Sequence, residues 1–274
     1  MKLYISTGAL IGRPNGRDYT LLKEFSKKLN CDGFEFMMYS DWYDKVDEIV
    51  KFIKDNNICI GSYHCQKSIG EAISKGGKEN FDDAFKRFEV NAKMAKELGS
   101  EKMVIHLWDG ITSDKYFENN LEAYKTVREI ADKNGQILCV ENVVCNQKDP
   151  MVHWTELREK YPDISFVFDT KMAEFHGQVD KVYEEEFSWL WKENHIRHLH
   201  VNDFAGKVMD WESLRGGVLP IGKGHVDFDK FFKFIKEKGY DDTITLEATA
   251  FDRQTGVVDF DMLNKQVDDV YKLI

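Results

Sequence analysis

Eight short apolar runs recur along the chain, and their regular order constrains the fold more than any other feature of the sequence. Each run has the length of a β-strand and is rich in β-branched and aromatic residues. The runs occupy residues 2–6, 33–37, 58–64, 102–107, 136–142, 164–169, 196–203 and 243–248. Near-continuous apolar strands are typical of a parallel sheet whose faces are covered by helices. The sequence therefore predicts eight parallel strands.

The stretches between the runs carry apolar residues at helical spacing, as at 46–53, 81–88 and 228–235. The weakest crossover lies between the fifth and sixth runs, where residues 153–163 predict only a short helix that ends before Pro162. Strict alternation without a Pro- or Gly-rich linker favours a closed (β/α)₈ TIM barrel built as a single domain over residues 1–274. Counting elements leaves an open doubly wound sheet as the alternative.

Composition limits the cellular compartment and the kinds of binding partner that we expect for this chain. The five cysteines include no CxxC pair, so the sequence suggests neither a disulfide framework nor a thiolate zinc site, and we expect reduced cysteines in a cytoplasmic protein. The N-terminus has the features of neither a signal peptide nor a membrane span. A net charge of −10 opposes binding to a phosphate backbone. We expect a small-molecule partner, no nucleic acid and no membrane, while assembly into a homo-oligomer stays open.

Motifs for two other kinds of chemistry are missing from the sequence. The chain contains neither the G-x-G-x-x-G nor the G-x-x-x-x-G-K-[ST] pattern, so nucleotide binding has no support. The nucleophile elbow G-x-S-x-G is also missing, which makes covalent catalysis the weaker hypothesis.

Four metal-ligand side chains stand at the downstream ends of four apolar runs. The four residues are Glu141, Asp169, His200 and Glu247, near the ends of the segments ILCVEN, FVFDT, HLHVND and TITLEA. In a parallel barrel the carboxyl ends of all strands meet at one mouth, so these side chains are predicted to converge there. Three carboxylates and one imidazole suit Mn²⁺, Mg²⁺ or Co²⁺ and tolerate Zn²⁺. The sequence therefore predicts one divalent metal ion of undetermined identity.

These four residues, together with the phrase LPIGKGHVDF at 219–228, resemble the sugar phosphate isomerase/epimerase superfamily of xylose isomerase-like TIM barrels. The superfamily includes tagatose 3-epimerases, hydroxypyruvate isomerases, inosose dehydratases and, more distantly, AP endonucleases. The resemblance spans the whole chain and implies that the quartet binds the metal while Glu141 and Glu247 double as the acid/base pair. It implies an isomerase or epimerase of a small sugar or polyol ketone that transfers a proton through a metal-stabilised enediolate.

Further residues on the same rim are expected to serve the substrate. His64 and His106 end the third and fourth runs, where the family often places a substrate-binding histidine. Asp203 is predicted to orient this region or to bind a substrate hydroxyl. Glu35 is placed at the end of the second strand, and the resemblance implies that it supports the site by hydrogen bonding, with simple structural pairing as the alternative. His198 lies one layer deeper and is not assigned to the metal.

The chain departs from the family pattern at two positions. Met172 stands where the family commonly has a histidine, and Gly206 stands where epimerases often carry an arginine, which puts ketohexose epimerisation itself in doubt. Lys171 is expected to take over as a cationic contact to a substrate oxygen or carboxylate, with a solvent-facing loop lysine as the alternative.

Three other functions compete with an isomerase. A lyase of the inosose dehydratase kind would use the same metal, and a non-catalytic metal- or carbohydrate-binding barrel would keep the quartet without turnover. A nuclease is the least favoured, because Met172 replaces a histidine and no Asp-x-His pair precedes the last strand.

Overall fold

Each apolar run forms a strand, and the eight strands close into one parallel barrel in chain order. The computed structural model describes residues 1–109, 112–215 and 218–274. Its strands are β1 (Lys2–Ser6), β2 (Gly33–Met37), β3 (Ile60–His64), β4 (Lys102–Ile105), β5 (Ile137–Glu141), β6 (Ser165–Asp169), β7 (Ile196–Val201) and β8 (Thr243–Leu246). Pairing of β1 with β8 closes the barrel, with Leu3 opposite Ile244 and Ile5 opposite Leu246. The predicted closed barrel is confirmed, and the open-sheet alternative is wrong.

Helices follow the strands and cover the outside of the barrel. They are α1 (Leu22–Phe25), α2 (Val46–Asp55), α3 (Ser68–Ser74), α4 (Lys78–Glu97), α5 (Phe117–Lys133), α6 (Pro150–Lys160), α7 (Thr170–Phe175), α8 (Trp189–Lys192), α9 (Trp211–Arg215), α10 (Phe228–Glu237) and α11 (Phe260–Leu273). No described helix combines the length and the apolar composition that crossing a bilayer requires.

The short helix predicted between the fifth and sixth strands is α6. It begins at Pro150, earlier than residue 153, because Asp149 caps it by accepting a hydrogen bond from the Val152 amide at 3.0 Å. Proline is well tolerated at the first helical position, where no backbone donor is needed. The helix ends at Lys160, before Pro162, as the sequence predicts.

The two faces of the strands have different environments. One alternate set of side chains, which includes Phe36, Met103 and Leu199, belongs to the large apolar core. On the other face, Val104 and Cys139 join Val167 in a separate small apolar cluster. Because side chains alternate along a strand, Glu141 and Asp169 lie on the same face as this small cluster, one step closer to the carboxyl ends. On β5 and β6, the side chains of this face therefore change from apolar to charged towards the C-terminal mouth.

The strands end where the candidate site residues stand. His64, Glu141 and Asp169 are the last residues of β3, β5 and β6, and His106 and Glu247 directly follow β4 and β8. Several strands are shorter than the apolar runs that predicted them, so Asp203 lies beyond β7 in a loop. The strand ends bring these side chains to the C-terminal mouth of the barrel, where TIM barrels carry their functional residues.

Candidate metal centre

Four side chains converge on one point at the mouth of the barrel. The Nδ1 atom of His200 lies 3.0 Å from Glu141 Oε1, 3.7 Å from Glu247 Oε2 and 3.9 Å from Asp169 Oδ2. One ligand atom from each of the four residues lies within 4.8 Å of all the others. Glu141, Asp169 and His200 are buried, while the Glu247 side chain is 11% exposed. The quartet predicted from the sequence is thus brought together in space.

Asp169 is fixed by the start of a helix and by two asparagines. Its Oδ1 accepts a hydrogen bond from the Met172 amide at 2.9 Å and caps α7, which leaves Oδ2 directed at the quartet. Asn142 holds the Asp169 backbone from both sides, at 2.7 and 3.0 Å. The Asn202 amide lies 3.4 Å from both Asp169 Oδ2 and Glu247 Oε2. Backbone anchoring therefore orients the carboxylate before any ligand binds.

Glu35 lies beneath the quartet and orients His200. Its Oε2 accepts hydrogen bonds from His200 Nε2 at 3.2 Å, His198 Nε2 at 3.0 Å and Ser62 Oγ at 3.0 Å. An imidazole that donates from Nε2 presents the lone pair of Nδ1 to a metal, which is the usual carboxylate–histidine–metal arrangement. The sequence placed Glu35 at the end of β2, but it lies in the middle of the strand and one layer deeper, beside His198.

The electrostatics of the quartet favour a bound cation. Burial and the neighbouring charges of Glu141 and Glu247 raise the pKa of Asp169 to about 8. Burial opposes ionisation of Glu141 as well, but His106 and His200 prevail and hold its pKa well below the usual range. A divalent ion among three carboxylates removes their mutual repulsion and stabilises the ionised form of each. The donor set of three carboxylates and one imidazole therefore fits a hard or borderline divalent ion.

His64 and His106 face the other oxygen of Glu141. Their Nε2 atoms lie 3.4 and 2.7 Å from Glu141 Oε2, and these three residues form a second group of metal-ligand type. His64 Nδ1 contacts the Cys65 carbonyl at 2.8 Å, and His106 Nδ1 contacts Asp109 Oδ2 at 3.2 Å. Burial alone would lower the pKa of His106, but Glu141 and Asp109 raise it to about 9. Both imidazoles are positioned to contact a ligand held by the quartet.

Two lysines approach the quartet. Lys171 is buried at the start of α7, not exposed in a loop, and its Nζ lies 3.5 Å from the Leu214 carbonyl. Burial lowers the pKa of Lys171, while the charges of Asp169 and Glu247 partly oppose this shift. Lys67, which the sequence analysis did not single out, precedes α3 at the same mouth. Its position three residues after the end of β3 was the signal that could have identified it.

The charges around Lys67 link it to the quartet. Burial would lower the pKa of Lys67, but the carboxylates of Glu247 and Glu141 prevail and raise it. Asp109 and Tyr39 contribute in the same direction. Lys67 and Lys171 therefore place two ammonium groups in the field of the same carboxylates.

Asp203 anchors a loop of the mouth through both of its carboxylate oxygens. Its Oδ1 accepts hydrogen bonds from the amides of Phe204 at 2.9 Å and Val226 at 3.1 Å, and its Oδ2 accepts one from Gly224 at 2.7 Å. Both oxygens of this buried carboxylate are occupied by the backbone. These contacts anchor the loop that precedes α10, in line with the predicted orienting role, and contact with a substrate hydroxyl stays a prediction.

The departure at Gly206 has a steric cause. A Cβ atom at this position would lie 2.4 Å from the Phe204 ring and 2.6 Å from Ser213 Cβ. Those distances are far below van der Waals contact, so the arginine that epimerases often carry does not fit here. The packing of this loop therefore favours glycine at position 206.

The fold and the site define a (β/α)₈ barrel whose C-terminal mouth carries carboxylates and histidines able to hold a metal ion. The family model described as xylose isomerase-like TIM barrel matches residues 24–264, so the chain belongs to that family. No curated protein sequence matches the chain at a significant level. The resemblance drawn from the sequence is confirmed.

Solved structures share the fold over the whole chain. A D-allulose 3-epimerase from Methylomonas sp. in complex with D-allulose is 12% identical with a TM-score of 0.73, over 100% of this chain and 97% of that one. The 3-keto-D-glucoside 4-epimerase YcjR from E. coli is 13% identical with a TM-score of 0.69, over 99% of each chain. The IOLI protein with a bound zinc atom is 15% identical with a TM-score of 0.74, over 100% and 99%. At these identities the likeness establishes the fold.

Proposed function

We propose that the protein is a divalent-metal-dependent isomerase or epimerase of a small sugar or polyol ketone. The observation that carries the proposal is the convergence of Glu141, Glu247, Asp169 and His200 within 4.8 Å at the mouth of the barrel. Solved structures of similar fold include two epimerases of sugars and a zinc-binding protein, which supports the same class of chemistry. Glu141, Asp169, His200 and Glu247 would hold Mn²⁺, Mg²⁺, Co²⁺ or Zn²⁺.

Proton transfer is assigned to the two glutamates. When bound, the ion would polarise a carbonyl and its neighbouring hydroxyl, which acidifies the shared C–H bond. Glu247 is the more accessible of the two carboxylates and is placed to remove that proton. His106 and His200 keep Glu141 ionised. Glu141 would exchange a proton with the same substrate carbon as the second acid/base group. Return of the proton to the same face isomerises the substrate, and return to the opposite face epimerises it.

Substrate oxygens would be bound by His64, His106, Lys171 and Lys67. The two histidines lie next to Glu141 and can donate or accept hydrogen bonds at the substrate carbonyl end. The two lysines supply donors only, which suits hydroxyl, carboxylate or phosphate oxygens. This set replaces the histidine and arginine that the family pattern would place at Met172 and Gly206.

A lyase is the second candidate, and the buried ammonium of Lys171 favours it. Elimination of water needs an acid at the leaving hydroxyl, and a lysine beside Asp169 and Glu247 can supply that proton. The two reactions differ in their products, because a lyase releases a dehydrated compound that absorbs in the ultraviolet as a conjugated ketone.

The test combines turnover with isotope exchange. Metal-loaded protein is incubated in deuterium oxide with a panel of ketoses, keto-polyols and their acid derivatives, and the products are analysed by NMR. We expect deuterium at one carbon next to the carbonyl. Glu141→Gln and Glu247→Gln should each lower turnover by at least roughly 10²-fold, because each keeps its shape but loses the base.

Metal content is measured beside each rate, since either substitution removes a ligand as well as a base. Glu101→Gln is the matched control, because Glu101 is exposed at the other end of the barrel, just before β4. Equal turnover in wild-type protein and both glutamine variants, with metal retained, would leave the acid/base assignment without support.

A further inference from the structure

A second cluster of metal-ligand side chains lies between two loops and shares no residue with the quartet. Asp114 lies in the loop between β4 and α5, Cys145 lies in the loop after β5, and His153 lies in α6. One ligand atom from each residue lies within 4.8 Å of the other two, and all three residues are buried. We call these three residues the Asp114 cluster.

Two polar atoms of the Asp114 cluster have no hydrogen-bond partner among the residues that the structure describes. They are Asp114 Oδ1 and His153 Nε2, in residues that are 4% and 0% exposed. Burying such a group without a partner costs about 1–3 kcal/mol, and more for a charged one. Native proteins usually satisfy such groups, and these two atoms belong to one cluster of metal-ligand side chains, where a cation would satisfy both.

The surrounding contacts fix the orientation of the Asp114 and His153 side chains. Asp114 Oδ2 accepts three backbone hydrogen bonds at 2.7–3.2 Å, from the amides of Asn146, Gln147 and Lys148. With Oδ2 committed, Oδ1 is the oxygen left for a ligand. The His153 ring stacks on Phe117 with centroids 3.7 Å apart, and its Nδ1 lies 3.5 Å from Glu156 Oε2. A proton on Nδ1 leaves a lone pair on Nε2, which is the form a metal requires.

We propose that Asp114, Cys145 and His153 bind one zinc-like divalent ion, separate from the ion of the quartet. Thiolate, imidazole and carboxylate are the three ligand types that Zn²⁺ takes in proteins. Ligand atoms in a tetrahedral zinc site lie about 3.3–3.8 Å apart, so small movements of the three side chains complete the geometry. A water molecule takes the fourth position. Binding releases the thiol proton, because the ligand is the thiolate.

Such an ion would act as a link between loops of the mouth. The loop after β4 begins with His106 and Asp109, and the loop after β5 follows Glu141. Joining Asp114 to Cys145 and His153 ties both loops together behind the residues that face the quartet. The site needs no activity to be detected, so its test is independent of the proposed function.

The test uses Co²⁺, which takes zinc sites and reports sulfur ligation through a thiolate-to-cobalt charge-transfer band in the near ultraviolet. Titration of the full chain should produce this band, and the band should saturate by two equivalents of Co²⁺, since one ion binds the Asp114 cluster and a second binds the quartet. Cys145→Ser should abolish the band. Cys139→Ser is the matched control, since Cys139 is also buried but belongs to the separate cluster inside the barrel, and it should keep the band.

Variants of the quartet separate the two proposals. Asp169→Asn should weaken the first ion and leave the thiolate band intact, because no quartet residue carries sulfur. Absence of turnover in the metal-loaded wild-type protein, with the band present, would count against the proposed function alone. His153→Asn keeps the thiol and should weaken formation of the band by at least about 10-fold, which provides a test if Cys145→Ser does not fold. A titration without a thiolate band, or a band that survives in Cys145→Ser, overturns the second site.

Discussion

Glu35→Gln tests whether the layer beneath the quartet controls metal binding. The substitution keeps the size of the side chain and removes its charge. If the amide oxygen takes the place of Oε2, it still accepts hydrogen bonds from His198 and Ser62, both at 3.0 Å, and a weaker one from His200 Nε2 at 3.2 Å. The amide nitrogen then takes the place of Oε1, which lies 3.1 Å from His200 Nε2. Two donors would face each other there.

A change of tautomer at His200 would remove this unfavourable contact between two donors. Moving the ring proton from Nε2 to Nδ1 removes the clash of donors, but Nδ1 is the atom that faces Glu141, Asp169 and Glu247. A protonated Nδ1 has no lone pair for a metal. Loss of such a supporting carboxylate typically costs 10–100-fold in metal affinity. We therefore expect Glu35→Gln to weaken binding by about 1.4–2.7 kcal/mol.

The assay is a competition titration of Mn²⁺, Co²⁺ and Zn²⁺ against a chromophoric chelator at one fixed pH. Far-ultraviolet circular dichroism and a thermal melt verify that the variant is folded. Glu97→Gln is the control, because Glu97 pairs with Lys54 on the surface and has no contact with the mouth. Wild-type affinity for all three ions in folded Glu35→Gln would refute the role assigned to Glu35.

Three further predictions follow from single contacts. Gly206→Ala should lower the melting temperature, with an overpacking cost of about 1–3 kcal/mol, because its Cβ would lie 2.4 Å from the Phe204 ring. An unchanged melting temperature would show that the loop rearranges without loss of stability. Burial lowers the pKa of His176 to about 4, so its neutral form stabilises the fold above about pH 6.5 and that contribution is lost as pH falls towards 4. Urea unfolding of His176→Gln across this range should show a shallower loss of stability than wild type, and parallel curves would contradict the assignment. Lys67→Met should lower kcat/KM by about 10–100-fold with metal content unchanged. The control, Lys75→Met at an exposed lysine, should match wild type. Equal kinetics in the two variants would show that Lys67 does not belong to the site.

Much of the fold could be predicted because it depends on local patterns. Each strand is a short apolar run, and parallel strands in a closed barrel all end at the same mouth. Glu141, Asp169 and His200 could therefore be placed together without any knowledge of the contacts between them. The same reasoning found His64 and His106, since residues at equivalent strand ends share one rim.

Other parts of the site depend on contacts between loops that are distant in sequence. Asp203 was predicted to orient this region, but the amides of Gly224 and Val226 that its oxygens bind are brought near only by the folded loop. Glu35 was placed at a strand end, but it lies one layer down because the pleat turns its side chain beneath His200.

By itself, the sequence determined the eight strands and the four residues that meet at one mouth, and it favoured a closed barrel over an open sheet. The tertiary structure alone decided the closure of the barrel and the assembly of the Asp114 cluster. The physical reason is that a strand can be predicted from the pattern of neighbouring residues, whereas the conformation of a loop depends on the tertiary packing around it. Asp114, Cys145 and His153 follow no recognisable ligand spacing, and their convergence depends on how the loops after β4 and β5 pack against each other.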